Sequence, residues 1–138
     1  KRGAQEGADA VGVTAPKLLA ITQLTSFSEE EMQTTQLVTV SMRESVIHLA
    51  QLAAQAGVAG TISSAFESAD IHANTPAGFL SITPGIRLAG DAVGDQSRVV
   101  TPARAAEMGA DGIVVGRSIT QATNPVAAYQ LIETEFNA

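Results

Sequence analysis

The chain has 138 residues with a formal net charge of -6, and 45% of it is hydrophobic against 16% charged; that suffices for one compact core and excludes a disordered segment. The acidic balance leaves no electrostatic footprint for DNA or RNA, and the absence of cysteine excludes a disulfide scaffold, a thiolate metal site and a cysteine nucleophile. No apolar run approaches the ~18 residues of a membrane span, so composition points to a soluble, cytoplasmic protein with neither nucleic acid nor membrane as partner.

Lys1 to Gly7 reads as the tail of a helix, and Asp9 as a turn residue. Leu18 to Leu24 is a short apolar run expected as a buried strand. Ser28 with Glu31, and Ser41 with Glu44, have the spacing of capping boxes and predict two helix starts. The second helix should run to about Ala56, with Val46, Leu49, Ala50 and Ala53 on one face and Gly57 as its stop. Val58–Ser63 is the next expected strand, Glu67 to about Ala73 a helix ended by Pro76 and Gly78, and Phe79–Thr83 a third strand. Thr101-Pro102 has the cap and first-turn proline of a helix start, closed by Gly109. Ile113–Val115 is the fourth strand. Asn124-Pro125 starts a last helix presenting Val126, Tyr129, Ile132 and Phe136 at helical spacing.

Strand followed by helix, four times over, implies an α/β fold with a parallel sheet and crossover connections. A small doubly wound sheet and four units of an eight-unit barrel both fit. A complete barrel needs ~250 residues, so the preferred reading is about the last four βα units of a (β/α)8 TIM barrel, a half-barrel forming one domain over residues 1–138.

Two strand ends look specialised. Ile82-Thr83-Pro84-Gly85-Ile86-Arg87 opens a loop that reaches Val99 and carries Gly90, Gly94, Asp95, Gln96 and Arg98. Val115-Gly116-Arg117-Ser118 leads into a short helical piece near Ile119 to Gln121. Loops after the last two strands of a barrel often bind phosphate: glycine admits a close backbone approach and arginine supplies charge-assisted hydrogen bonds. A Gly-Arg pair after a strand is otherwise a turn followed by a solvated charge. Thr25 and Ser26 could face a ligand or cap a turn. Arg98 and Arg104 read as surface residues, His48 and His72 as helix-packing residues, Asp91 and Asp95 as solvated loop carboxylates, and Asp111 as a turn residue. Ser63 and Ser64 have no histidine base nearby in sequence.

Three segments together carry a family resemblance: Leu19 to Ser26; Ile82 to Leu88 with Gly94-Asp95-Gln96 and Arg98 to Pro102; and Ile113 to Ala122 with Asn124-Pro125. From about Leu18 to Tyr129 the chain resembles the bacterial orotidine 5'-phosphate decarboxylases, especially those of Gram-positive type. The resemblance implies a (β/α)8 barrel, normally a homodimer, that converts orotidine 5'-phosphate to UMP and CO2 without metal or organic cofactor. It implies that Thr25 contacts the pyrimidine, that Arg87, Gly116 and Arg117 surround the phosphate, and that Gln96 bridges phosphate and base from a closing loop. Pro84, Gly85 and Ile86 should form pocket wall. The family's catalytic Asp-x-Lys-x-x-Asp motif is absent: the only lysines are Lys1 and Lys17, and Lys17 starts a strand, opposite the expected site. No catalytic residue is therefore assigned here. The chain alone is expected to be inactive, and to pair with a copy of itself or with an N-terminal half. Rival readings are another phosphate-binding barrel, such as a ribulose-phosphate lyase or epimerase, and a non-catalytic phosphate-binding half-barrel. The first would lack the combination of Leu24-Thr25-Ser26 with Gly94-Asp95-Gln96.

Overall fold

The computed structural model describes residues 1–90 and 98–138. In chain order these form α1 (Arg2–Val11), β1 (Leu19–Ile21), α2 (Glu29–Gln36), α3 (Met42–Gln55), β2 (Gly60–Ile62), a 3-10 turn (Ala65–Glu67), α4 (Ser68–Asn74), β3 (Leu80–Thr83), α5 (Pro102–Glu107), β4 (Gly112–Ile113), α6 (Arg117–Thr120) and α7 (Pro125–Phe136). The strands make one parallel sheet in the order β1-β2-β3-β4. This is the expected alternation of strand and helix.

Local chemistry fixes the helix starts. Ser28 and Ser41 each accept the N–H three residues on while Glu31 and Glu44 reach back to the cap N–H, so both capping boxes are complete. Thr101 and Asn124 cap α5 and α7 ahead of a first-turn proline. Each satisfies a donor that the helix cannot satisfy itself.

Strand register sorts the side chains into two faces. Ile21, Ile62 and Ile82 are ladder partners and share one face; Thr61, Ser63, Ser81 and Thr83 point the other way, toward the helices, and are fully buried. Hydroxyls buried this deeply usually have partners, and three of these four do, while Thr83 Oγ1 has none among the described residues. Thr22 donates to Ser63 and Ser63 to Thr61, both at 3.0 Å, and Ser68 and Ser81 meet at 2.9 Å. Around this layer Met32, Met42, Val46, Ala50, Ala53, Ile71 and Phe79 form one core cluster. Ala65, Ile86, Ala105 and Ala110 form a second. The isoleucine face is open: Ile21 is 64% exposed and Val114, beyond β4, 51% exposed.

Several expectations need correction. The ladder of β1 spans Leu19–Ile21 rather than Leu18–Leu24, because the chain turns after Thr22 to carry Gln23 and Thr25 to the sheet's end. Likewise β4 is Gly112–Ile113 rather than Ile113–Val115. Asp9 lies inside α1, accepting a 2.8 Å hydrogen bond from Gln5 one turn earlier. His48 is exposed on α3 rather than packed. His72 reaches across to Asp111 at 2.9 Å, and the same carboxylate accepts the Ser81 N–H at 2.7 Å. Of the apolar stripe on α7 only Ile132 is buried, while Val126 and Tyr129 are exposed.

Candidate functional site

Active sites of parallel barrels lie at the C-terminal ends of the strands, and there a cleft of about 380 Å³ opens. Thr25 and Gln23 come from the segment after β1, Ile62 from β2, Pro84, Gly85 and Arg87 from the segment after β3, and Val114, Gly116 and Arg117 from the segment after β4. Five expected ligand contacts and wall residues that lie 59 positions or more beyond Thr25 in sequence thus share one cavity with it: Pro84, Gly85, Arg87, Gly116 and Arg117.

Each is set by its local backbone. Gly85 has φ 78°, the left-handed region that favours glycine. A Cβ there would lie 3.1 Å from the Arg98 carbonyl oxygen and 3.5 Å from the Thr25 side chain, so the wall between them has no room for a side chain. Arg87 is buried, and its Nη1 donates to the Ile86 carbonyl at 2.7 Å. Its backbone N–H is bound to Val100 at 3.0 Å, which ties this stretch to the start of α5. Gly116 is the N-terminal cap position of α6, with nothing within 4 Å of where a Cβ would sit, and exposed Arg117 is the first residue of that helix. Ser118 is buried, and its hydroxyl has no hydrogen-bond partner among the described residues.

Not every expected residue joins the cleft. Ile86 does not line it: its side chain is completely buried in the second core cluster, and its backbone bridges to Val100. Gln96, with Gly94, Asp91 and Asp95, lies outside the described residues. Lys17 is exposed at the opposite end, before β1, in a groove with Lys1 and Gly57. Among the described residues no group of three or more His, Asp or Glu could hold a metal, and no helix is long and apolar enough to cross a membrane.

Sequence reasoning missed two features. Gln23 lines the cleft, but its amide is committed to structure: it donates to Gln36 at 3.0 Å and Ser45 at 2.8 Å, and Gln36 donates back at 2.8 Å. Its place two residues before Thr25, just past the first strand, was the available signal. Arg98 is not a surface residue. It forms an ion pair with Glu67, the two side chains being 15% and 8% exposed. Arg104 by contrast is at the surface, paired with Glu107 at 2.8 Å.

A four-stranded parallel sheet with helices between its strands, and a cleft at the strands' C-terminal ends, match a segment of an α/β protein of the TIM-barrel class. The profile of the "Orotidine 5'-phosphate decarboxylase / HUMPS family" matches residues 1–132, and the chain belongs to that family. It is 54% identical over 123 residues to the orotidine 5'-phosphate decarboxylase of Listeria monocytogenes, an alignment covering 89% of this chain and 53% of that one. The crystal structure of orotidine 5'-phosphate decarboxylase from Lactobacillus acidophilus superposes with a TM-score of 0.75 at 43% identity, over 92% of this chain and 52% of that one. The orotidine 5'-phosphate decarboxylase from Pyrococcus horikoshii, at 20% identity and a TM-score of 0.63, shares the fold. The chain spans about half the length of the curated relatives it matches.

Proposed function

We propose that residues 1–138 are the C-terminal half of a single TIM-barrel domain and supply the phosphate- and pyrimidine-binding side of an orotidine 5'-phosphate decarboxylase site. The observation that carries this reading is the meeting of Thr25, Arg87 and Arg117 in one cleft with Gly85 and Gly116. Arg117 opens from a helix start beside a glycine, where a phosphate oxygen can approach the backbone and a guanidinium together. Arg87, buried and oriented through the Ile86 carbonyl, presents a second positive charge in the same cleft. Thr25 lines the same cleft and is the side chain this reading assigns to the nucleotide's ring.

In the reaction the C6–carboxylate bond breaks, CO2 leaves, and the electron pair left on C6 takes a proton to give UMP. That proton comes from the lysine of the Asp-x-Lys-x-x-Asp motif, which this chain does not contain. The role of this half is remote binding: contacts to the phosphate hold the ring in register for chemistry elsewhere, and such binding energy is used at the reacting centre. Orotidine 5'-phosphate and UMP are the ligands of this reading, a homodimer or a pairing with an N-terminal half its assembly, and the cytoplasm its place of action.

The test is calorimetric titration of UMP, with uridine as control, into the barrel formed by this segment and one carrying the motif. Tight binding of UMP and much weaker binding of uridine is expected. Equal affinity for the two would remove the phosphate from the account.

A further inference from the structure

The segments after β1, β2 and β3 converge on one residue that the cleft itself does not include. Arg98 Nη1 donates to Glu67 Oε1, and Nη2 donates to the Leu24 carbonyl at 3.1 Å. Its backbone N–H donates to the Thr25 carbonyl at 3.2 Å, and its own carbonyl oxygen lies 3.1 Å from where a Cβ on Gly85 would sit. Glu67 closes the 3-10 turn after β2, so one arginine bonds the segments that follow β1 and β2 to each other, and its backbone lies close against Gly85 after β3. The pair is nearly excluded from water, and the second Glu67 oxygen and Arg98 Nε are buried without a hydrogen-bond partner among the described residues. A buried pair in that condition gives little stability over an apolar pair of similar size, and what it does supply here is geometry.

We propose that Glu67 and Arg98 are a positioning pair: Glu67 aims the guanidinium, and Arg98 holds the Leu24–Thr25 turn against the Gly85 wall so that Thr25 presents its side chain to the ligand's ring. The inference rests on the reading of Thr25 as the pyrimidine contact. Arginine is required because its rigid fork reaches two acceptors at once, whereas a lysine ammonium on a flexible stem fixes neither direction.

The test uses the full-length barrel carrying this segment, with Arg98→Lys, Thr25→Ala and the double variant. Arg98→Lys keeps the charge opposite Glu67 and loses the fork. Its affinity for UMP should fall about tenfold, while affinity for inorganic phosphate, held at Arg87 and Arg117, stays unchanged. Thr25→Ala should cost little more in the Arg98→Lys background than Arg98→Lys alone, because both changes remove the same contact. Unchanged UMP affinity, equal loss of UMP and phosphate, or full additivity of the two changes would each overturn the proposal. If the unsubstituted barrel binds phosphate but not UMP, the reading of the site falls, and crystal structures decide the pair separately. A Leu24–Thr25 turn displaced from Gly85 in Arg98→Lys then supports positioning, and an unmoved turn overturns it.

Discussion

Arg87 and Arg117 carry the same charge and line the same cleft, yet their surroundings assign them different tasks. Arg117 is exposed on a helix start, so Arg117→Ala should weaken UMP binding in the whole barrel by ~10- to 150-fold, the value of about 1.5–3 kcal/mol for a charge-assisted contact. Stability to urea should hardly move. Arg87 is buried and hydrogen-bonded to the backbone, so Arg87→Ala should lower both UMP affinity and the urea midpoint. Calorimetry and urea unfolding on the two variants separate these outcomes, and a stability loss in Arg117→Ala equal to that in Arg87→Ala would contradict them. Glu67 has its own signature. Burial raises its carboxyl above the ordinary 4.5, outweighing the opposing pull of Arg98. A folded carboxyl with a raised value binds its proton more readily than the unfolded one, so its contribution is greatest at low pH and is lost as pH rises through the raised value. Relative to Glu67→Gln, the native chain should therefore lose stability as pH climbs from 4.5 upward, read from urea midpoints across that range. A constant difference between the two proteins would refute the burial argument. Glu31, Glu44 and Asp70 act in the opposite sense: Ser28, Ser41 and Arg43 respectively hold them below the ordinary range, so their contribution disappears as pH falls.

The elements were legible wherever a local rule governed them. Ser28 with Glu31, Ser41 with Glu44, Thr101-Pro102 and Asn124-Pro125 all announced helix starts that the structure contains, because capping is a matter of residues three apart. The strands were found as apolar runs, but their ends were not, since β1 stops where Gln23 and Thr25 turn toward the cleft rather than where apolar residues end. Arg98 was read as a surface charge because its partner, Glu67, lies 31 positions away, and no periodicity in a sequence reports such a pairing. The family resemblance put Ile86 in the pocket wall with Pro84 and Gly85, whereas its side chain packs in the second core cluster beyond the left-handed turn at Gly85. Two expected outcomes follow at this scale. Ile71, fully buried in the first core cluster, should cost about 2–5 kcal/mol on replacement by alanine, measured by urea unfolding. Gly60→Ala should be damaging although the change is small, because its Cβ would come within 2.3 Å of the Leu80 carbonyl oxygen on the neighbouring strand. A variant as stable as the parent would mean that β2 and β3 are not packed as described.

At the level of the molecule the sheet is open on two sides. Among the described residues β1 and β4 are its edges, and an apolar groove of about 450 Å³ lined by Ile113, Val115, Tyr129, Ile132 and Phe136 runs between β4 and α7. The Ile21–Ile62–Ile82 face is partly wet. Unpaired strand edges beside an exposed apolar face invite another chain, so the isolated 138-residue protein should associate with itself or with an N-terminal half. Sedimentation would show this, and a stable monomer at high concentration would contradict it. The central claim is that this chain holds substrate while the proton-donating lysine lies in a segment it does not contain. The most direct measurement follows the absorbance of orotidine 5'-phosphate with the purified, mass-verified chain, alone and then mixed with a segment bearing the Asp-x-Lys-x-x-Asp motif. The account predicts no loss of substrate alone and decarboxylation on mixing; turnover by the 138-residue chain alone would contradict it.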